Sequence, residues 1–388
     1  MATLTTLFLI LIINHQRIQQ SLFVLASPSS SPSFQCDVWT GKWVRDPEAP
    51  YYTNETCSTI QEHQNCMKNG RPDRDFLKWR WKPDRCELPH FDPLSFLELL
   101  RGKTLSFVGD SLARNQMQSL MCLLSKVVYP EDISETRDEN FKRMYYSEYN
   151  FTISIFWSPF LIKSKQPVSE GPSLDRMWKL YLDETDDNWT SKVETSDYLI
   201  ISGGTWFTRP LLFYEERQVI GCQYCDIKNF PKIQISYFHR MAFRTALRGI
   251  NRLASYRGTT IVRTISPPHF ENGAWDHGGD CTRTRPARSG ERKMEKVYAE
   301  MYRNQVEEFE VAKKEGRKRG LEFMLMDMTG AMLQRPDGHP SGYWSSSNKE
   351  SSGRKERHND CVHWCLPGPV DLWNDLLFHM LRDLGGAL

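Results

Sequence analysis

The sequence predicts a three-layer α/β sandwich built on a parallel sheet, joined to a small N-terminal lobe stapled by disulfides. Three observations lead there. Short, nearly continuous apolar runs alternate with stretches of helical period, the pattern of strands covered on both faces by helices. Ten cysteines are spread along the 388 residues, an even count that suits a disulfide framework in an oxidising compartment. Residues 36–86 are dense in Cys, Trp, Tyr and Pro and carry neither strand nor helix period, as a loop-rich lobe held by cross-links would.

Composition excludes other classes. Lys+Arg number 50 against 48 Asp+Glu, a formal charge of +2, so neither a nucleic-acid tail nor a polybasic membrane surface is expected. With 39% hydrophobic and 12% aromatic residues, the chain is too apolar for disorder and can bury a large core.

In chain order, residues 1–35 read as an apolar leader followed by a Ser/Pro-rich stem. The run 4–13 (LTTLFLILII) is shorter than the roughly 20 residues that span a bilayer and long enough for the core of a signal peptide, so it reads as a signal anchor or a signal peptide. Three N-x-[ST] sequons, at Asn54, Asn150 and Asn188, agree with a luminal address and mark glycosylation candidates. Residues 36–90 form the Cys/Trp-rich lobe and 91–388 the larger α/β domain. Within that domain, strands are expected at 103–109, 151–156, 197–202, 259–265 and 321–326, and helices at 112–125, 236–253, 291–318 and 370–384. The Ser-, Lys-, Glu- and Arg-rich stretch 345–357 reads as a solvated insertion.

Two constellations carry chemistry. Gly109-Asp110-Ser111 falls where the first strand of this domain gives way to its helix. A serine there stands at the carboxyl end of a parallel strand and at the positive end of a helix, where ligands bind and backbone N–H groups stabilise an oxyanion. The same residues also suit a plain N-cap. Asp360 and His363, three apart in an irregular turn with His363 flanked by Cys361 and Cys365, can work as orienting carboxylate and imidazole base. Together they make a Ser…Asp…His set. A rival reading takes Cys361, His363 and Cys365 with Cys222 and Cys225 as zinc ligands; beside a leader and sequons, oxidation ranks ahead of metal, and no metal site is expected.

Gly109-Asp110-Ser111 with Arg114-Asn115-Gln116, Asp337-Gly338-His339-Pro340, and Asp360-x-x-His363-Trp364-Cys365-Leu366-Pro367-Gly368 resemble the plant trichome-birefringence-like polysaccharide O-acetyltransferases. The resemblance runs from Cys36 to the last helix, and the blocks PYYTNETC, HQNCMKNGRPDRDFLKWRWKP and ISGGTWFTRP are most similar to the xyloglucan-acetylating branch. It implies a GDSL/SGNH-type domain in a Golgi-membrane, single-pass type II protein with a luminal catalytic domain, or else a secreted one. It implies no bound cofactor, an acetyl donor or a donor-supplying membrane protein as partner, and a neutral hemicellulose acceptor. Catalysis would fall to Ser111, His363 and Asp360, and the pairings to Cys36–Cys86, Cys57–Cys122, Cys66–Cys365 and Cys281–Cys361, with Cys222 and Cys225 paired or free. Where many relatives carry Asn-Thr-Gly-His-Trp, this chain has Ser202-Gly203-Gly204-Thr205-Trp206, so an oxyanion role carries over to Gly204 alone. Arg114 and Asn115 read as oxyanion donors or as ties to the last lobe, Asp337 and His339 as an acceptor-groove wall or a turn, and Trp79, Trp81 and Trp206 as sugar platforms or core. Two alternatives stand beside transfer: an acetylesterase of the same fold, and a non-catalytic polysaccharide binder.

Overall fold

The computed structural model describes residues 36–168, 174–345 and 358–385; the expected leader and stem, and nearly all of the insertion at 345–357, lie outside them. Strands β1 (Gly41–Arg45) and β2 (Trp79–Pro83) pair as an antiparallel ribbon. Helix α1 (Pro93–Leu99) leads into β3 (Thr104–Gly109) and α2 (Ser111–Leu124). Next come β4 (Glu131–Asp132), β5 (Phe141–Tyr146), β6 (Phe151–Trp157), β7 (Ile162–Lys165), β8 (Trp178–Thr185) and the single turn α3 (Asp187–Thr190). The chain continues through β9 (Tyr198–Ile201), β10 (Leu211–Glu215), β11 (Gln218–Gln223), α4 (Ile235–Arg252) and β12 (Thr259–Arg263). It closes with α5 (Lys296–Arg317), β13 (Glu322–Met326), α6 (Thr329–Leu333) and α7 (Asp371–Gly385).

The central sheet has the order β13-β12-β9-β3-β6-β5-β4, parallel from β13 to β6 and antiparallel beyond. The chain steps from β3 outward to β6, then returns across β3 to β9. That reversal opens a crevice at the carboxyl ends of β3 and β9, the position where open α/β sheets bind ligands. On one face of the sheet, Val108, Leu199, Ile201 and Val262 pack against Phe243 and Leu247 of α4 and Phe309 of α5. Alternation sends Phe107, Ile200 and Ile261 to the other face, where they are equally buried and where α2 lies on β3 and β6 and packs against α1 and α7. The predicted three-layer class holds, because the strands at the centre of the sheet, β12, β9, β3 and β6, are buried on both sides.

All five expected strands and all four expected helices form, with two differences in extent and content. The helix expected from residue 291 begins at Lys296: the Glu291 carboxylate accepts from the Arg288 amide at 2.9 Å and pairs with Arg283 at 3.2 Å, which holds a turn. A second sheet, β11-β10-β8-β7, was not expected. Its strands mix charged and apolar residues, as in WKLYLDET, and lack the continuous apolar run that marked the central strands. No helix among the described residues is long and apolar enough to cross a membrane.

Disulfides join Cys57 to Cys122, Cys66 to Cys365, Cys281 to Cys361 and Cys222 to Cys225, and Cys36 and Cys86 are also disulfide-bonded. The zinc reading fails on this chemistry, since sulfurs spent in disulfides have no thiolate to offer a metal. Of the sequon residues, Asn150 and Asn188 are exposed and Asn54 is half-buried.

A carboxyl-rich seam fastens the N-terminal lobe to α7. Tyr51 Oη donates to Asp375 at 2.7 Å and Tyr52 Oη to Asp371 at 2.8 Å. Burial raises the Asp375 carboxyl to about 8, with the Asp371 charge adding to it. A folded-state pKa raised in this way favours the protonated acid, so the stability it contributes is full below the unfolded carboxyl range and is lost as pH rises toward about 8. Asp375→Asn, which cannot ionise, is expected to remove that slope. Thermal melts between about pH 5 and about pH 9 should show the parent falling relative to the variant; parallel curves would contradict the assignment.

Candidate active site

The site begins at the end of β3. Gly109 brings that strand so close to β9 that a Cβ would collide with the Ser202 carbonyl, a close approach open only to glycine. Asp110 is the N-cap of α2: its carboxylate accepts from the Leu112 amide at 2.9 Å. The aspartate therefore does the capping, and the Ser111 hydroxyl is left free at the helix N-terminus.

Two hydrogen bonds complete a relay. Ser111 Oγ lies 2.6 Å from His363 Nε2, and His363 Nδ1 lies 2.7 Å from Asp360 Oδ2. The second carboxylate oxygen of Asp360 accepts from the amides of Val362 at 3.1 Å and His363 at 2.9 Å. Burial works to raise the Asp360 carboxyl, but the facing imidazole and these hydrogen bonds overcome it and hold the group well below the usual carboxylate range. For His363, burial opposes the imidazolium and Asp360 outweighs it, so the pKa is raised above its ordinary value. The base must be neutral to accept the serine proton. Activity should therefore be lost as pH falls through a point above about 6.5, the reference imidazole value. A kcat/KM profile whose acid limb sits at or below that point would contradict the geometry.

The loop carrying His363 is pinned on every side. Cys361 and Cys365 are bonded to Cys281 and Cys66. Asn115, fully buried, uses both ends of its amide on the Trp364 backbone, accepting from its N–H at 2.8 Å and donating to its carbonyl at 3.3 Å. His339 Nδ1 donates to the His363 carbonyl at 2.7 Å, its ring stacks on Trp364 at 4.0 Å, and its Nε2 lies 2.6 Å from His269 Nδ1. Burial pushes the His339 pKa down to about 3, so it serves as a neutral donor. Asp337 is buried in a two-point pair with Arg335, at 2.8 and 3.0 Å. Asn115 and His339 thus hold this loop from behind, and Asp337 turns inward to Arg335.

In front of the relay opens a cleft lined by Ser111, His363, Asp360, Arg114, His63 and an aromatic wall that includes Trp157, Trp206, Trp275 and Trp344. Arg114, one helical turn from Ser111, donates to Asn140 at 2.7 Å. Gly204 is the N-cap of the 3-10 turn Thr205–Thr208, whose Thr205 and Trp206 both stand in the cleft wall. Of the three tryptophans considered as sugar platforms, Trp206 lines the cleft. Trp81 is buried and donates to the Val38 carbonyl at 2.9 Å, and Trp79 lies under the Arg45 guanidinium at 4.3 Å. Sequence reasoning missed His63, Trp157, Trp275 and Trp344. The pairing of Cys66 with Cys365 was the one signal that could have brought His63, three residues before Cys66, to the site. Among the described residues no group of three or more His, Cys, Asp or Glu side chains is placed to hold a metal ion.

A serine at a strand-to-helix turn, within hydrogen-bond reach of an imidazole that a carboxylate orients, at the switch point of a parallel sheet, is the arrangement that serine acyl transfer requires. Comparison with known proteins places it more closely. The model of the GDSL/SGNH-like acyl-esterase family found in Pmr5 and Cas1p matches residues 88–380, and that of the PMR5 N-terminal domain matches residues 34–87. The chain belongs to this GDSL/SGNH-like acyl-esterase family. Protein trichome birefringence-like 19 of Arabidopsis thaliana is 49% identical over 366 residues, covering 94% of this chain and 85% of the relative. Xyloglucan O-acetyltransferase 4 of Populus trichocarpa is 44% identical over 351 residues, 90% of this chain and 82% of the relative. Xyloglucan O-acetyltransferase 2 of Arabidopsis thaliana is 41% identical over 354 residues, 90% and 83% respectively.

Proposed function

We propose that the protein is a polysaccharide O-acetyltransferase that moves an acetyl group by way of Ser111 to a hydroxyl of a neutral hemicellulose, with side-chain galactose of xyloglucan as the acceptor. The observation that carries this reading is the relay of Ser111, His363 and Asp360, closed at 2.6 and 2.7 Å, at the floor of a cleft walled by tryptophans. Family membership and relatives named xyloglucan O-acetyltransferases support it.

In the first step His363 Nε2 takes the Ser111 proton as Oγ attacks the carbonyl carbon of an acetyl ester or thioester. The donor's leaving group then takes that proton as its bond to the acetyl carbon breaks. In the second step the sugar hydroxyl gives its proton to Nε2 and attacks the acetyl-Ser111 carbonyl, and the proton returns to Oγ. Asp360 stabilises the imidazolium in both steps, and the N-terminal end of α2 favours the negative charge that develops on the carbonyl oxygen. The tryptophan wall suits the apolar faces of uncharged sugar rings. A Golgi lumen with residues 1–35 as anchor belongs to the same proposal, and the disulfides suit such a compartment.

Hydrolysis is the second reading, because the family is described by its acyl esterases and water competes for the same intermediate. The test is incubation with an acetyl donor and a panel of xyloglucan, xylan and mannan oligosaccharides, read by mass shift. Acetylated xyloglucan is the expected product. Acetylated xylan without acetylated xyloglucan would overturn the acceptor, and acetate that no acceptor diverts would make the protein an esterase.

A further inference from the structure

His63 belongs to the N-terminal lobe, yet its ring stands 5.7 Å from that of His363, at 78°. The juxtaposition is built into the fold. Cys66 is bonded to Cys365, the Leu366 amide donates to the Gln64 carbonyl at 2.9 Å, and Gln64 is fully buried. The relay does not need this second imidazole, since His363 already has Ser111 on one nitrogen and Asp360 on the other. Half-buried in the cleft wall, His63 has its pKa pushed down to about 4 by burial, then by the charges of His363 and Arg114, against a smaller upward pull from Asp360. It is neutral wherever His363 can act as a base.

The hydrogen-bonding capacity of His63 is half used. The Gln64 side-chain amide donates to its Nε2 at 3.4 Å, which leaves the ring proton on Nδ1. Among the described residues Nδ1 has no hydrogen-bond partner, and it is not among the buried polar atoms without one, so it is open to a ligand. We propose that His63 selects a sugar over water: its Nδ1–H binds a second hydroxyl of the sugar residue whose first hydroxyl gives its proton to His363 Nε2.

This rests on the acetyl-Ser111 reading. As the first hydroxyl loses its proton to Nε2, its oxygen bonds to the acetyl carbon, the bond from that carbon to Ser111 Oγ breaks, and Oγ recovers the proton. His63 keeps its own proton throughout. Water has no second oxygen to anchor, so it enters the attacking position without the orienting contact that a diol makes.

The test uses the full chain, para-nitrophenyl acetate as acetyl source and a galactose-bearing xyloglucan oligosaccharide as acceptor. The nitrophenol burst reports acetylation of Ser111, and the ratio of acetylated sugar to free acetate reports selection. His63→Phe keeps a ring and loses the donor. It should lower the ratio by about tenfold, the size of one hydrogen bond, and raise the acceptor KM. His63→Asn, with an amide N–H near the position of Nδ1, should restore most of the loss. In a series of mono-deoxygalactose acceptors, one member should cost the parent the same factor and cost His63→Phe nothing further. A parental ratio in His63→Phe, or losses that multiply across the deoxy series, would overturn the proposal. Absence of a burst in the parent would instead sink the acetyl-Ser111 reading.

Discussion

Replacing Ser111 with Ala is expected to lower turnover by on the order of a millionfold, with His363→Ala similar and the double variant no worse, because nucleophile and base act as one unit. The two side chains share a 2.6 Å hydrogen bond, and removing either leaves the other without a function in acyl transfer. Asp360→Asn should cost on the order of ten-thousandfold, since an amide favours the wrong imidazole tautomer and no longer stabilises the cation. Ser111→Ala and Asp360→Asn should melt near the parent, because the disulfides and the Asn115 and His339 contacts that pin the loop remain. Near-parental rates in purified Ser111→Ala would refute the assignment of the nucleophile.

Asp337→Ala is expected to destabilise the fold by about 3–5 kcal/mol, the usual cost of leaving one partner of a buried ion pair uncompensated. Arg335 and Asp337 are each 1% exposed. The Arg335 guanidinium also donates to the Phe76 carbonyl at 2.7 Å and lies over the Trp43 ring at 4.3 Å. The Asp337 carbonyl accepts from Arg71 at 2.6 Å. This pair therefore locks the N-terminal lobe to the segment behind the catalytic loop. Urea unfolding measures the loss; stability close to the parent would contradict the role given to this pair. Replacing Arg335 and Asp337 together with apolar residues should recover much of the loss, since no unpaired charge then remains buried.

What could be read from the sequence was local. Ser111 follows a strand and opens a helix, and Asp360 precedes His363 by three residues, so spacing marked each half of the constellation, while the fold brings the halves together across 252 residues. The central strands were legible because burial on both faces leaves a nearly continuous apolar run. Asp337 and His339 look equally chemical in sequence, but their partners turn them inward. His339 meets His269, 70 residues away, and nothing in Asp337-Gly338-His339-Pro340 signals that neighbour. His63 is the converse case: an ordinary residue in a segment without period becomes a wall of the cleft because a disulfide carries it there. The second sheet stayed hidden for a physical reason, its strands being half-solvated and mixed in polarity.

Peptide mass spectrometry of protein mixed with an acetyl donor in the absence of acceptor tests the central claim most directly. If Ser111 carries the group, the peptide containing it gains the mass of one acetyl, Ser111→Ala and His363→Ala gain none, and adding xyloglucan oligosaccharide discharges the label into acetylated sugar. An unlabelled Ser111 peptide in a protein that still acetylates sugar would contradict the account, because transfer would then pass directly from donor to acceptor.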